Sequence, residues 1–249
     1  MRHRYVFDRL ALAAIFASSL LASLASPAAF ARNLPSIKTV GVVSDVGDKI
    51  RLQHIGFMVF SNKLTEGDFP EWGIDAHITS QLEAGLKERY ELRAVDFPKG
   101  KIAPDLDDIG LFEGPRPEKN MRVNAKPANG EPIDAYLVVW QSSREVYPTN
   151  QHVQGLGLLT QASRARTYIA ITVTLLDGKT FEEIDTCAAR VRPVSFGDPD
   201  GSYMNVTPEL FAESFDAMTP EQKKALEEGL KKMLNDGLAY CLHDLKLVP

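Results

Sequence analysis

Apolar residues are spaced along this chain with two different periods. Val, Ile and Phe residues are dense from Ile37 to Val46 and again from Ile50 to Phe60, and the segment DVGD separates the two runs. Two β-rich runs joined by a short Asp/Gly turn predict an antiparallel hairpin. The segment does not predict a phosphate-binding loop, because the G-x-x-x-x-G-K-[ST] spacing is missing and a strand follows instead of a helix.

Two segments carry the period of an amphipathic helix. Between Trp72 and Tyr90, an apolar residue recurs at every fourth position from Ile74 to Leu86, with charged residues between. A longer apolar face follows Thr219, which is a predicted N-cap, and Gln222 completes a capping box with it. The sequence therefore predicts two main helices, one in each half of the chain.

Further strands are predicted between these helices. Asp134 to Ser142 is a continuous apolar run of the buried-strand type. Alternating residues from Thr167 onwards, the turn Asp177-Gly178 and a return to Val191 predict a second antiparallel hairpin. The order of elements predicts an α/β (α+β) fold. We expect a mixed sheet of about five to seven strands, with two main helices packed on it and hairpins at both ends of the sheet sequence.

Two segments are predicted to be long surface excursions, near residues 113–132 and 144–166. The first is rich in Pro, Gly and Asn, and the second contains QHVQGLGLLTQASRAR, where apolar residues are grouped among glycines. The second is either a loop that packs on a partner, ligand or membrane surface, or a satellite core folded back onto the sheet. Under the first interpretation, the interacting residues are Val153, Leu156, Leu158, Leu159, Arg164 and Arg166.

The N-terminus predicts a secretory signal peptide over residues 1–31. Three arginines are followed by an uncharged apolar run, Leu10 to Ala25, and a small-x-small cleavage site ends at Ala31. The alternative is an uncleaved membrane anchor, but the run is shorter than the roughly 20 residues that a span requires. We therefore expect a single α/β domain over residues 32–249 with no further transmembrane span, located in the periplasm or outside the cell.

Charge and cysteine content narrow the classes of partner and cofactor. The formal net charge is −5 and no dense Lys/Arg run is present, so the chain is a poor candidate for binding nucleic acid. In an oxidising compartment Cys187 and Cys241 can form a disulfide, and the alternative is two separate buried thiols. With no histidine pair nearby, they do not predict a zinc site. We expect no metal and no cofactor.

Catalytic motifs are missing from the sequence. Neither the G-x-S-x-G nucleophile elbow nor the H-E-x-x-H metalloprotease motif occurs. An enzyme would need a site assembled from dispersed residues, for example Asp45, His54 and His152. Convergence of the two histidines on a concave pocket would favour this alternative, and placement on opposite faces of the sheet would disfavour it.

Several segments together resemble small α/β modules of the bacterial envelope. The resemblance lies in VGVVSDVGDKIRLQHIGFMVF, an amphipathic helix, IDAYLVVWQSS and TYIAITVTLLDGKTFEEIDT, taken in that order. This order is similar to the N-terminal domain of TolB, to the periplasmic domain of the curli secretion channel family, and to secreted bacterial proteins with a VVSDVGD start. The chain departs from these families in lacking a lipid-anchoring Cys and propeller repeats. The resemblance implies a fold and an envelope location, but no particular chemistry.

These patterns together predict an exported, non-catalytic accessory or binding protein of the cell envelope. It would act through contacts with an envelope protein or a small ligand. The alternative is a periplasmic enzyme of the hydrolase type, with a site built from dispersed His and Asp residues.

Overall fold

One large sheet organises the part of the chain that the computed structural model describes. The described residues are 37–56, 62–103, 116–146, 149, 151–161, 164–194, 201–207, 212 and 214–249. The predicted signal peptide, residues 1–31, lies outside them. The chain from Pro35 to Pro249 forms one unit.

The large sheet has ten strands, and a separate pair of short strands lies beside it. The strands of the large sheet are β1 (Thr39–Asp45), β2 (Lys49–Ile55), β3 (Lys63–Asp68), β4 (Glu91–Leu92), β7 (Ala135–Gln141), β8 (Ser143–Val146), β9 (Gln151–Gln161), β10 (Arg164–Asp177), β11 (Glu183–Ala188) and β12 (Tyr203–Val206). The separate pair is β5 (Val95–Asp96) and β6 (Lys126–Pro127). The described α-helices are α1 (Ile74–Leu86), α2 (Glu118–Asn124) and α3 (Pro220–Asp244), and short 3₁₀ turns cover Pro70–Trp72 and Phe215–Ala217.

The strands of the large sheet lie end to end in columns. β10 is one continuous strand, and its two halves pair antiparallel with β9 and β7 on one side. On its other side the same halves pair with β12 and β11. β1 and β2 pair in parallel with β7 and β9, respectively. The columns β1–β2, β7–β9 and β11–β12 are therefore long strands that are each interrupted once.

The predicted hairpin between Ile37 and Phe60 is wrong. Both strands form, but β1 pairs with β4 and β7, whereas β2 pairs with β3 and β9. The two strands run in the same direction, so Val46 to Asp48 interrupt a column without reversing the chain. The physical reason is that Asp75 of α1 accepts the backbone N–H groups of Val46 and Gly47, so this segment makes its hydrogen bonds to a helix side chain.

The second predicted hairpin and the predicted fold class are confirmed. β10 and β11 pair antiparallel across the turn at Asp177-Gly178. The Asp177 carboxylate accepts the backbone N–H groups of Thr180 and Lys179, and these bonds lower the pKa of Asp177. The sheet is mixed and the helices pack on it. More strands are present than the five to seven predicted, because the interruptions divide long columns into shorter strands.

Both faces of the sheet are covered. On one face α1 and α3 pack together, and His77 of α1 lies 2.8 Å from the Asn235 side chain of α3 (Nε2 to Oδ1). On the opposite face Met121 of α2 packs into a cluster with Val43, Tyr136 and other core residues. The residues between Ser142 and Gly155 leave the β7–β9 column as a hairpin that folds over this second face, where Val146 and Val153 join a further core cluster.

The two predicted surface excursions are corrected for their described residues. In the segment 113–132, α2 and β6 form, and Met121 is fully buried. The segment 144–166 consists mainly of β8, β9 and the start of β10. Its glycines suggested a loop, but Gly157 fits a packed strand. A Cβ there would lie 2.1 Å from the carbonyl oxygen of Arg51.

Candidate functional site

A groove lies beside the interruption of the β11–β12 column. We call it the β11–α3 groove, because one wall is the chain that leaves β11 and the other is helix α3. Its volume is about 600 Å³. It is lined by Arg190, Val191, Arg192, Pro193, Val194, Asp236 and Tyr240.

The first wall is held in place by backbone contacts at and just after its start. At the start, Ala189 donates its N–H to the carbonyl of Ile171 in β10. Further on, Val191 donates its N–H to the carbonyl of Gly201 over 2.8 Å. Gly201 has φ +65°, and a Cβ at this position would lie 2.3 Å from the carbonyl oxygen of Arg192. A glycine at this point therefore allows the returning chain to approach the wall closely.

The second wall is a stable helix seated directly on the sheet. α3 begins at the predicted capping box, in which the Thr219 side chain accepts from the Gln222 N–H and the Gln222 side chain accepts from the Thr219 N–H. Asp236 and Tyr240 are four residues apart and so lie on the same face of the helix. Between them, Gly237 permits close packing, since a Cβ there would be 2.9 Å from the Ile169 side chain.

A disulfide links the two walls. Cys187 in β11 is bonded to Cys241 in α3, which confirms the predicted pairing. Both residues are buried. Cys187 precedes Arg190 by three residues and Cys241 directly follows Tyr240, so the covalent bond lies next to the groove on both sides. The disulfide therefore fixes the start of the first wall relative to α3.

The lining combines apolar surface with two guanidinium groups. Val194 is 53% exposed, and it lies beside Pro193 at the open end of the first wall. The Arg190 guanidinium lies 5.6 Å from the centre of the Tyr240 ring, within range of a cation–π interaction. Asp236 accepts a hydrogen bond from Lys232 over 2.8 Å. The lining also carries the Asp236 carboxylate and the Tyr240 phenol on the helix side.

The residues that the sequence proposed for interaction lie elsewhere. The proposed apolar residues are Val153, Leu156, Leu158 and Leu159. Their side chains are at most 1% exposed, and Val153 and Leu159 pack with Tyr168 and Tyr203 in the core. These residues lie in the protein core, as the satellite-core interpretation predicted. They belong to β9, however, which is a strand of the main sheet.

The two arginines proposed with them lie at the start of β10. The Arg166 guanidinium lies 4.9 Å from the centre of the Tyr203 ring, and its Nη2 donates to the Gln161 side chain over 3.2 Å. Arg164 is exposed. Neither arginine lines the β11–α3 groove.

The dispersed residues of the enzyme alternative are not brought together. Gln53 donates to the carbonyl of His152, so Gln53 points to the hairpin-covered face of the sheet. Successive residues of a strand point to opposite faces, and His54 therefore lies on the other face, where its Nδ1 is 2.9 Å from the Thr160 hydroxyl. The Asp45 carboxylate accepts the backbone N–H groups of residues 100, 102 and 103. These positions disfavour a catalytic site built from the three residues.

Asp75 has a structural position that the sequence interpretation missed. Its Oδ1 accepts from the Ser44 hydroxyl over 2.7 Å and from the Val46 N–H over 2.9 Å. Burial raises the pKa of Asp75 above its ordinary value, against the lowering effect of these hydrogen bonds. The sequence alone suggested that Asp75 is one of several charged residues on the solvent-exposed face of this helix. The available signal was its place in the first turn, where a carboxylate is near unpaired backbone N–H groups.

The groove residues were also missed, although the sequence held a signal for them. The two cysteines lie just before and just after segments that form opposite walls, so a disulfide between them predicts that these segments are neighbours. Within the described ranges, no three His, Cys, Asp or Glu side chains are grouped as metal ligands. No helix in those ranges is long and apolar enough to cross a bilayer.

Comparisons with known proteins give little further information. No protein-family model matches the chain. No curated protein matches it. Among solved structures, the crystal structure of lipoprotein GNA1162 from Neisseria meningitidis aligns over 61% of this chain and 80% of that chain, with 14% identity and a TM-score of 0.25. Similarity at this level carries no argument about fold or function, and the resemblance to the TolB and curli modules stays a prediction.

Proposed function

We propose that this chain is an exported, non-catalytic binding protein of the cell envelope that contacts a partner protein through the β11–α3 groove. The observation that carries the proposal is the construction of the groove. A disulfide joins its two walls, while the apolar residue Val194 remains half exposed at its edge. A cross-link at one end of a groove reduces the conformational entropy that binding costs there.

Export is supported by two independent features. The N-terminal sequence carries the charge, apolar run and small-residue site of a secretory signal peptide. The paired cysteines fit the same location, since disulfides persist in the periplasm and outside the cell and are rare in the cytosol.

A binding role is supported by the chemistry of the groove. Its lining offers guanidinium groups, an aromatic ring and aliphatic side chains, which are residues that bind other proteins well. The enzyme alternative lacks a comparable observation, because His54 lies on the face of the sheet opposite to the hairpin that contains His152.

Photo-crosslinking in the host cell envelope tests the proposal. A benzophenone amino acid replaces Val194 in one variant and Val123 of α2 in a matched control. The control tests for nonspecific apolar contact, because Val123 is the same residue type and is more exposed, at 76% against 53%. We expect a discrete heavier product with one protein from the Val194 probe and none from the Val123 probe. No product at Val194, or the same products at both positions, would contradict the proposal.

A further inference from the structure

The disulfide is buried in the folded chain. Cys187 is 2% exposed and Cys241 is fully buried. Resting on the export part of the proposed function, we infer that a thiol–disulfide oxidoreductase outside the cytosol forms this bond while α3 is undocked from β11. Docking of α3 then closes the bond to further exchange. The chain is therefore a substrate of that oxidoreductase, and α3 is the element that makes the product permanent.

The first argument is the access that the reaction needs. Disulfides form by direct attack of a thiolate on a sulfur, through a mixed disulfide that joins the two proteins. In the folded chain α3 packs on β10 and β11. Gly237 lies four residues before Cys241, and a Cβ there would be 2.9 Å from the Ile169 side chain and 3.1 Å from that of Ala189. Helix and sheet are therefore in close contact next to the two sulfurs, and a second protein reaches them only when α3 moves away.

The second argument is that the electrons must leave the chain. Cys187 and Cys241 are the two cysteines of the sequence, so no other disulfide of this chain supplies the oxidising power. A single pair also allows one connectivity, so no rearrangement of wrong pairs within the chain is needed. An outside acceptor of two electrons is required, and a protein disulfide is such an acceptor.

The reaction then has two steps. One cysteine thiolate attacks a sulfur of the oxidant's disulfide, which forms the mixed disulfide and releases the oxidant's second sulfur as a thiolate that takes up a proton. The other cysteine thiolate attacks the sulfur of the first cysteine and releases the oxidant's remaining sulfur. The two thiols lose two electrons and two protons, and the oxidant's disulfide becomes a dithiol.

The third argument is timing. Small domains fold within seconds or less, whereas disulfide formation takes from seconds to hours, depending on the oxidant. A slow oxidant would act after α3 had docked and buried both thiols. Exchange is faster when the leaving thiol of the oxidant has a low pKa, as it has in proteins specialised for this reaction. A protein oxidant can therefore complete the bond before docking.

Reduction of the purified, oxidised protein by dithiothreitol tests the role of α3. Gly237→Ala inserts a methyl group between the helix and the sheet, and the matched control Gly229→Ala adds one in the same helix where no atom lies within 4 Å. We expect reduction in buffer to be about tenfold faster in Gly237→Ala than in the wild type and unchanged in Gly229→Ala. Equal rates for the wild type in buffer and in concentrated urea would overturn the inference, because the bond would then be accessible with α3 docked.

Trapping in the host cell tests the partner. Acid arrests exchange, free thiols are alkylated, and mixed disulfides of the full-length protein are identified by mass spectrometry. Cys187→Ser and Cys241→Ser each block the second step, so both variants should form a mixed disulfide with a protein that carries two cysteines close together in its sequence. The variant with both cysteines changed to alanine is the control and should form none.

Two results in cells would overturn the inference. Single-cysteine variants that carry only small-molecule thiol adducts, beside a wild type with its internal disulfide, would identify a small-molecule oxidant instead. Two free thiols in the wild-type protein would reject export together with the inference. Crosslinking at Val194 tests the groove independently, so failure of the proposed binding site is distinguishable from failure of this inference.

Discussion

Long columns of the sheet are interrupted at Val46–Asp48 and after Ala188, and the chain is held differently at these two places. In the first, two carboxylates lie beside the break, and one of them accepts hydrogen bonds from the interrupting backbone. Asp75 accepts from the interrupting backbone on one face of the sheet, and on the other face Asp45 accepts from the loop that starts at Gly100. In the second, the chain leaves the sheet, is anchored by the disulfide, and forms the wall of an open groove.

The two interruptions differ in where the backbone groups that leave the sheet find their hydrogen-bond partners. Backbone groups at a buried break need acceptors inside the protein, and short aspartate side chains supply them without opening a cavity. After β11, residues 190–194 are partly or largely exposed. Specific contacts hold the chain at both breaks, and under the proposed function only the second also offers a binding surface. The following predictions test that division, beginning with the largest expected effect.

Removal of the disulfide should have the largest effect. Cys187→Ala together with Cys241→Ala opens a cross-link between residues 54 apart in the sequence. The expected loss in the free energy of unfolding is about 4 kcal/mol, because the unfolded chain regains the freedom that the loop had restricted. Urea denaturation measures the loss, and the reduced wild-type protein serves as a control that should show a similar value. A loss below about 1 kcal/mol would contradict a large contribution of this disulfide to the stability of the fold.

Removal of the buried carboxylate at the first break should have the next largest effect. Asp75→Ala leaves the Ser44 hydroxyl and the N–H groups of Val46 and Gly47 without this acceptor. We expect a loss of about 3 kcal/mol in the free energy of unfolding, because unsatisfied buried donors are costly. The matched control is Asp68→Ala, at an exposed position in β3, which should change stability by less than about 0.5 kcal/mol. Equal effects of the two substitutions would contradict a structural role for the first break.

A smaller effect is expected at the return point of the second break. Gly201→Ala places a side chain at φ +65° and close to the Arg192 carbonyl, with an expected loss of about 2 kcal/mol. The control is Gly229→Ala in α3, where no atom lies within 4 Å of the added Cβ and a gain of up to about 1 kcal/mol is expected. Thermal unfolding of both variants measures the difference. A neutral Gly201 substitution would show that the wall does not depend on this close approach.

The smallest effect is a pH dependence from Asp75. Because burial raises its pKa in the folded state, the folded protein holds this proton more tightly than the unfolded chain does. Its contribution to stability is then greatest when it is protonated, and falls as pH rises from the ordinary aspartate pKa through the raised one. The free energy of unfolding of the wild type minus that of Asp75→Asn should decrease across this range. The subtraction removes the opposite effects of Asp134 and Asp177, whose pKa values are lowered. An increase across the range would mean that the hydrogen bonds, and not burial, dominate this pKa.

The sequence predicted those parts of the fold that depend on neighbouring residues. The Thr219 capping box, the turn at Asp177 and the apolar run in β7 each carry their information within a few positions, and all three predictions were confirmed. The partners of β1 and β2 depend on strands far away in the sequence, so a local turn signal was misleading. The β9 glycines suggested a loop for a similar reason, since their close packing against Arg51 and Tyr168 involves distant residues.

The candidate site was harder to predict from the sequence than the fold. The cysteine pair was found, but Arg190 and Tyr240 are fifty residues apart, and no periodicity connects them. Only the tertiary packing of α3 on β10 and β11 brings their side chains together.

Hydroxyl-radical footprinting of Tyr240 in intact cells and in the purified protein tests the central claim, that the β11–α3 groove is occupied by a partner, most directly. Tyr90 is the matched control, because it is also a partly buried tyrosine but does not line the groove. The account predicts that labelling of Tyr240 relative to Tyr90 is at least about twofold lower in cells than in the purified protein, as expected when a partner covers an interface residue. Equal ratios in the two samples would contradict it, because an occupied groove must shield Tyr240 where the partner is present.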